Sequence, residues 1–178
     1  MSNAYIIYTD GSTVNNGRAG ARGGYGVVFV SERYRDTSGY FTYGNQTNNR
    51  YELEAIKIAT EVALDVHSHH ILIRTDSEYS KKSITTWLKT WKQNGFITAN
   101  GEPVQNRQLI VEIDDNIRHI RAQGKIIQIE HVRGHSFDYF NNEADRLARI
   151  AANNNTVHEQ RFVGNFPSVP GPLAFYYH

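Results

Sequence analysis

The apolar positions change period several times along the chain, and those changes define the elements. Residues 5–9 (YIIYT) form a short β-branched and aromatic run, the signature of a strand buried on both faces, with Asp10-Gly11-Ser12 as the turn that ends it. Residues 12–24 are rich in Gly and Asn and read as a loop. Residues 26–31 and 33–43 read as a second and a third strand, in an antiparallel meander with the first. At residues 48–66 the period becomes helical: Leu53, Ile56, Ala59, Ala63 and Val66 recur on one face, widened by Ile58 and Val62. This predicts a central helix packed on the sheet.

Residues 70–75 (HILIRT) predict a fourth strand, and Asp76-Ser77 opens the next helix. That helix carries Ile84, Trp87, Leu88 and Trp91 on one face and is followed by a loop over 94–103. Residues 106–123 are amphipathic again through Leu109, Ile113, Ile117 and Ile120. Residues 125–132 predict a fifth strand, and 143–152 a helix with Ala144, Leu147, Ala148 and Ala151 on one side. The order is βββαβ, then helices, then βα, an α/β arrangement. Pro167, Pro170 and Pro172 forbid a helix across 156–178. This predicts two parts: a catalytic domain over 1–155 and a Pro- and aromatic-rich extension over 156–178. Phe162, Phe166, Phe175, Tyr176 and Tyr177 make the extension more aromatic than a free tail, so it is expected to dock.

Composition narrows the class without choosing a function. The chain has 178 residues, 39% hydrophobic and 21% charged, within the range of a soluble globular domain. It has no cysteine, so neither a disulfide partner nor a thiolate metal site is available. No run approaches membrane-spanning length, and the first residues lack the pattern of a signal peptide. An intracellular, cytoplasmic, monomeric protein is the expectation. The net charge of +1 argues neither for nor against nucleic acid, so any electrostatic footprint must be local.

The candidate chemistry lies in four acids. Asp10 and Asp76 each follow an apolar strand as Thr-Asp-(Gly/Ser), while Glu52 and Asp145 each fall in the first turn of a predicted helix. Each has an ordinary reading: Asp10 as a turn residue, Glu52 as a helix-start acid, Asp76 as an N-cap, and Asp145 in a shortened capping box behind Asn142. Jointly they point elsewhere. Adjacent strands and crossing helices would bring four carboxylates together, and hard oxygen donors of this kind suit Mg²⁺. Two such ions about 4 Å apart clamp both oxygens of a phosphodiester displacement. His135, between the fifth strand and the helix of Asp145, is placed for a mobile role near the metals.

Five segments in order, YTDGS, QTNNRYELEA, TDSEY, GHS and NNEADRLA, resemble the type 1 ribonuclease H family over roughly residues 4–153. The resemblance implies a ribonuclease H-like fold: a five-stranded mixed sheet, part meander and part parallel, flanked by helices. It implies hydrolysis of the RNA strand of an RNA–DNA hybrid with two Mg²⁺ ions, Mn²⁺ substituting, leaving 3′-hydroxyl and 5′-phosphate ends. By the resemblance Asp10 bridges both metals, Glu52, Asp76 and Asp145 complete the ligand set, and His135 serves protonation or product release. Asn16, Asn48 and Asn49 match residues that read the 2′-hydroxyls in the minor groove. Tyr79, Trp87 and Trp91 match the lining of the DNA-strand channel, and Thr47 and Asn106 match a pocket for a DNA phosphate.

Two departures remove positive charge from that face. Asn45 stands where family members often have arginine, and residues 94–106 carry only Glu102 where a common bacterial form is lysine-rich. The alternatives are another nuclease of the same superfold, such as the ribonuclease H part of a reverse transcriptase, and a hybrid-binding module without catalysis. A start almost directly at the first strand weighs against the polymerase fragment. Four retained acids weigh against the pure binder, which gains nothing from negative charge facing phosphates.

Overall fold

The computed structural model describes residues 4–31, 34–134 and 137–154. Five strands, β1 (Tyr5–Val14), β2 (Arg22–Phe29), β3 (Thr37–Gly39), β4 (His70–Thr75) and β5 (Ile126–His131), form one sheet in the order β3-β2-β1-β4-β5. β1, β2 and β3 pair antiparallel, while β4 pairs parallel to both β1 and β5. The helices are α1 (Asn48–Asp65), α2 (Glu78–Ile84), α3 (Leu88–Asn94), α4 (Arg107–Ala122) and α5 (Tyr139–Asn154).

Alternation along the strands divides the core. Ile7, Val27, Phe29, Ile71 and Ile73 pack with Leu53, Ile56 and Ala59 of α1 and with Ile110, Ile113 and Ile117 of α4. The intervening Tyr8 and Val28 pack with Ala144 and Leu147 of α5. Burial of this apolar surface, at about 25 cal/mol per Å², is the main force holding the helices to the sheet.

Several elements differ from the sequence reading, and glycine explains the largest difference. Asp10-Gly11-Ser12 is not a turn: β1 runs on to Val14, and Asp10 pairs with Gly26 inside the antiparallel ladder. A Cβ on Gly11 would lie 2.2 Å from the backbone nitrogen of Glu52, so this glycine admits α1 rather than bending the chain. Residues 22–24 belong to β2, not to the loop, and a Cβ on Gly24 would lie 2.5 Å from the Ala152 nitrogen, as one on Gly26 would lie 2.2 Å from the Ala144 carbonyl oxygen. These strand glycines let α5 lie close on the sheet.

β3 is three residues long, not eleven. The helix predicted to carry both tryptophans is broken: α2 ends at Ile84, its cap Thr85 leaves helical geometry at φ −121°, ψ −76°, and α3 starts at Leu88. α5 begins at Tyr139, because Asp138, not Asn142, caps it by accepting from the backbone N–H of Phe140 and Asn141. Glu52 and Asp145 therefore sit in second turns rather than first turns. The expected boundary at residue 155 falls just past the end of α5, and the expected docking of 156–178 lies outside the described residues.

Candidate metal centre and nucleic-acid face

Three of the four acids meet at one point. β1 and β4 are parallel neighbours with Thr9 opposite Thr75, so Asp10, inside β1, lies beside Asp76, the first residue after β4. Glu52 reaches the same point from α1, where Gly11 allows the close approach. Carboxylate oxygens of Asp10, Glu52 and Asp76 all lie within 4.8 Å of one another.

Asp10 and Glu52 are buried, at 5% and 9% exposure. Burial, reinforced by the charge of Asp76, raises Asp10 from 3.8 to about 7, although hydrogen bonds from Glu52 and the Gly11 N–H oppose the rise. Burial and the neighbouring Asp10 and Asp76 also push Glu52 well above the ordinary glutamate range. Glu52 Oε2 is buried without a hydrogen-bond partner. An orphaned carboxylate oxygen among three acids is costly unless a cation answers it. The donor set is all carboxylate oxygen, which fits a hard divalent metal.

Asp145 stands apart from this compact trio. Its charge reaches Asp10 as a lesser contribution, and its Oδ2 pairs with the Arg149 guanidinium at 2.9 Å, one turn along α5. Asp76 is not a cap: Ser77 caps α2 by accepting from the Ser80 N–H, which leaves the Asp76 carboxylate available to the cluster. The loop after β5 passes directly over Asp76, since a Cβ on Gly134 would lie 2.7 Å from its Oδ2. His135 follows Gly134 and lies outside the described residues.

Beside the acids runs a polar ledge. Thr47 caps α1 by accepting from the Arg50 N–H, and the Asn48 N–H reaches Asn16 Oδ1 at 3.4 Å, joining the β1–β2 turn to the helix start. Asn16, Asn48 and Asn49 are exposed. Farther along, Tyr79, Trp87 and Trp91 form a row with ring centroids 6.2 and 5.5 Å apart. Trp91 packs on the core while Trp87 stays exposed, so the broken helix still presents both rings. Asn106 Nδ2 lies 3.5 Å from Tyr79 Oη.

The residues that hold the ledge escaped the sequence reading. Gln46 accepts from Tyr51 Oη and the Gly23 N–H, while its amide nitrogen donates to the carbonyls of Phe41, Tyr43 and Gly44. The buried Arg50 donates to the Tyr43 and Asn45 carbonyls, pairs with Glu54, and lies over the rings of Phe41, Tyr43 and Tyr51. The i,i+4 spacing of Arg50 and Glu54 was a visible signal; the loop carbonyls they serve were not.

The RNase H family model matches residues 2–153. A Schizosaccharomyces pombe protein named Ribonuclease H is 43% identical over 151 residues, covering 85% of this chain and 54% of that protein. The chain thus spans about half the length of this relative and of the mammalian ones named Ribonuclease H1. An Escherichia coli Ribonuclease H is 37% identical over 155 residues, covering 86% of this chain and 92% of that protein. Among solved structures, the RNase H domain of PFV superposes with a TM-score of 0.64 at 26% identity, covering 84% of this chain and 96% of the other. A foamy viral protease-reverse transcriptase in complex with RNA/DNA hybrid gives 0.67 at 26% identity, covering 85% of this chain and 20% of that one. The mixed sheet, the converging acids and these similarities agree, and the chain belongs to the ribonuclease H family.

Proposed function

We propose that the protein is an endoribonuclease that hydrolyses the RNA strand of RNA–DNA hybrids. The observation that carries this reading is the buried Asp10–Glu52–Asp76 cluster with its orphaned Glu52 oxygen. Such a cluster is unstable without divalent metal and has no use in a pure binder of polyanions. Asp10, Glu52, Asp76 and Asp145 would hold two Mg²⁺ ions, or Mn²⁺ in their place. When bound, the ions supply electrostatic stabilisation to the attacking and leaving oxygens of the phosphodiester.

The remaining work falls to the chain itself. Asn16, Asn48 and Asn49 orient the hybrid through its 2′-hydroxyls, the one feature that separates RNA from DNA at a fixed site. Tyr79, Trp87 and Trp91 pack on the DNA strand, and Thr47 and Asn106 seat one of its phosphates. His135 would serve protonation of the departing 3′-oxygen of the RNA or release of the product.

The test is strand selectivity. Labelled RNA should be cut when paired with DNA, leaving 3′-hydroxyl and 5′-phosphate ends, and left intact when single-stranded. Equal cleavage of single-stranded RNA contradicts the reading. The catalytic unit is residues 1–155, and truncation after Asn155 should preserve this cleavage while lowering the melting temperature. Loss of cleavage in a folded truncated protein would make 156–178 part of the site instead of an appendage.

A further inference from the structure

Arg107 opens α4 directly after Asn106, and its side chain has no place in the reading above. It is exposed, and no acid among the described residues pairs with it. Its guanidinium instead lies over the Phe96 ring, 4.8 Å from the centroid. Phe96 is buried, and its backbone takes a left-handed φ of +65°, which a bulky residue adopts only when its contacts hold it there. Those contacts are its N–H donating to the Trp91 carbonyl at 2.7 Å and its carbonyl accepting from the Val104 N–H at 2.9 Å. The platform under Arg107 is thus tied to the helix that carries Trp91.

Asn106 links the arginine to the aromatic row from the other side, through the 3.5 Å approach of its amide to Tyr79 Oη. Two cations of the neighbouring helices are engaged, Lys82 with Glu78 and Lys92 with Asp114. A fixed, unneutralised guanidinium beside a row of rings is the chemistry that tracks a sugar–phosphate backbone. Its planar fork matches phosphate oxygens, and stacking on a ring fixes its direction before the ligand arrives.

We propose that Arg107, held on Phe96, is a phosphate-binding residue for the nucleic-acid strand that crosses Tyr79, Trp87 and Trp91. The proposal rests on the hybrid reading above and adds to it a residue and a charge. One ion pair with phosphate releases one counterion, so its loss should lower the log–log salt slope by about 0.7–0.9.

The experiment measures binding of a short RNA–DNA hybrid to the full chain carrying Asp10→Asn, which prevents turnover, across a KCl series. Arg107→Gln should weaken binding severalfold at low salt and flatten the slope by the amount of one contact. In the active chain it should raise KM and leave kcat unchanged. Phe96→Leu, which keeps the charge but removes its platform, should fall between. Arg121→Gln, an exposed arginine in the last turn of the same helix, should match the parent. An Arg107→Gln slope and KM equal to the parent's, in a protein that binds and cleaves hybrid, overturns the assignment and leaves the hybrid reading intact. A parent that fails to bind hybrid at all overturns both.

Discussion

Asp10→Asn should abolish hybrid cleavage, leave hybrid binding largely intact, and make the metal-free protein more stable. The first effect follows from removing one of the three carboxylates of the cluster, which Asp10 shares with Glu52 and Asp76. The last follows from linkage. The Asp10 carboxyl is raised from 3.8 to about 7 in the folded state, so between roughly pH 4 and pH 7 the folded chain holds a proton that the unfolded chain releases. Its contribution therefore turns unfavourable as pH rises through that window and is fully unfavourable above it. Asparagine removes this penalty, on the order of 2–4 kcal/mol at pH 8 and close to nothing at pH 4. Thermal melts of both proteins in chelator, at pH 4 and pH 8, read the difference. Stabilisation of equal size at both pH values would mean that carboxylate repulsion is not the cause. Wild-type-like turnover in the variant would remove Asp10 from the chemistry altogether.

Gly11→Ala should have the next largest effect, and it separates packing from charge. The added methyl would lie 2.2 Å from the Glu52 nitrogen and 2.5 Å from the Tyr51 carbonyl carbon, both backbone atoms. No rotamer relieves such a contact, so α1 must move away from β1. Overpacking of this kind costs roughly 3 kcal/mol, and the displaced helix carries Glu52 with it. Activity should drop steeply even where the variant remains folded, as checked by circular dichroism at low temperature. A variant with the stability and rate of the parent would show that the strand–helix approach does not set the position of Glu52.

What the sequence made legible follows from which signals are local. The 18-residue α1 and the strand His70–Thr75 were readable because periodicity and β-branched runs are properties of contiguous residues. The meeting of Asp10, Glu52 and Asp76 was readable because Thr-Asp-(Gly/Ser) recurs on two apolar runs and an acid stands near the start of the long helical pattern. Gly11 and Gly24 misled because glycine marks both turns and close approaches, and only the partner helix distinguishes them. The start of α5 was misplaced because the Asp138 cap is also engaged by Tyr8, 130 positions away in the chain, whose hydroxyl donates to the same carboxylate. Arg50 and Gln46 were missed for the same reason: their partners are loop carbonyls that no periodicity announces. Asp145 marks the limit from the other side: its helix context and the motif order place it fourth in the acid set, while in the structure its carboxylate pairs with Arg149.

Metal dependence is the most direct test of the buried acid cluster as the reacting centre. The measurement is the rate of RNA cleavage in an end-labelled RNA–DNA hybrid, followed as Mg²⁺ is titrated in from excess chelator. No cleavage in chelator, with full recovery as the free ion rises, is the predicted result. Undiminished cleavage in excess chelator would contradict it.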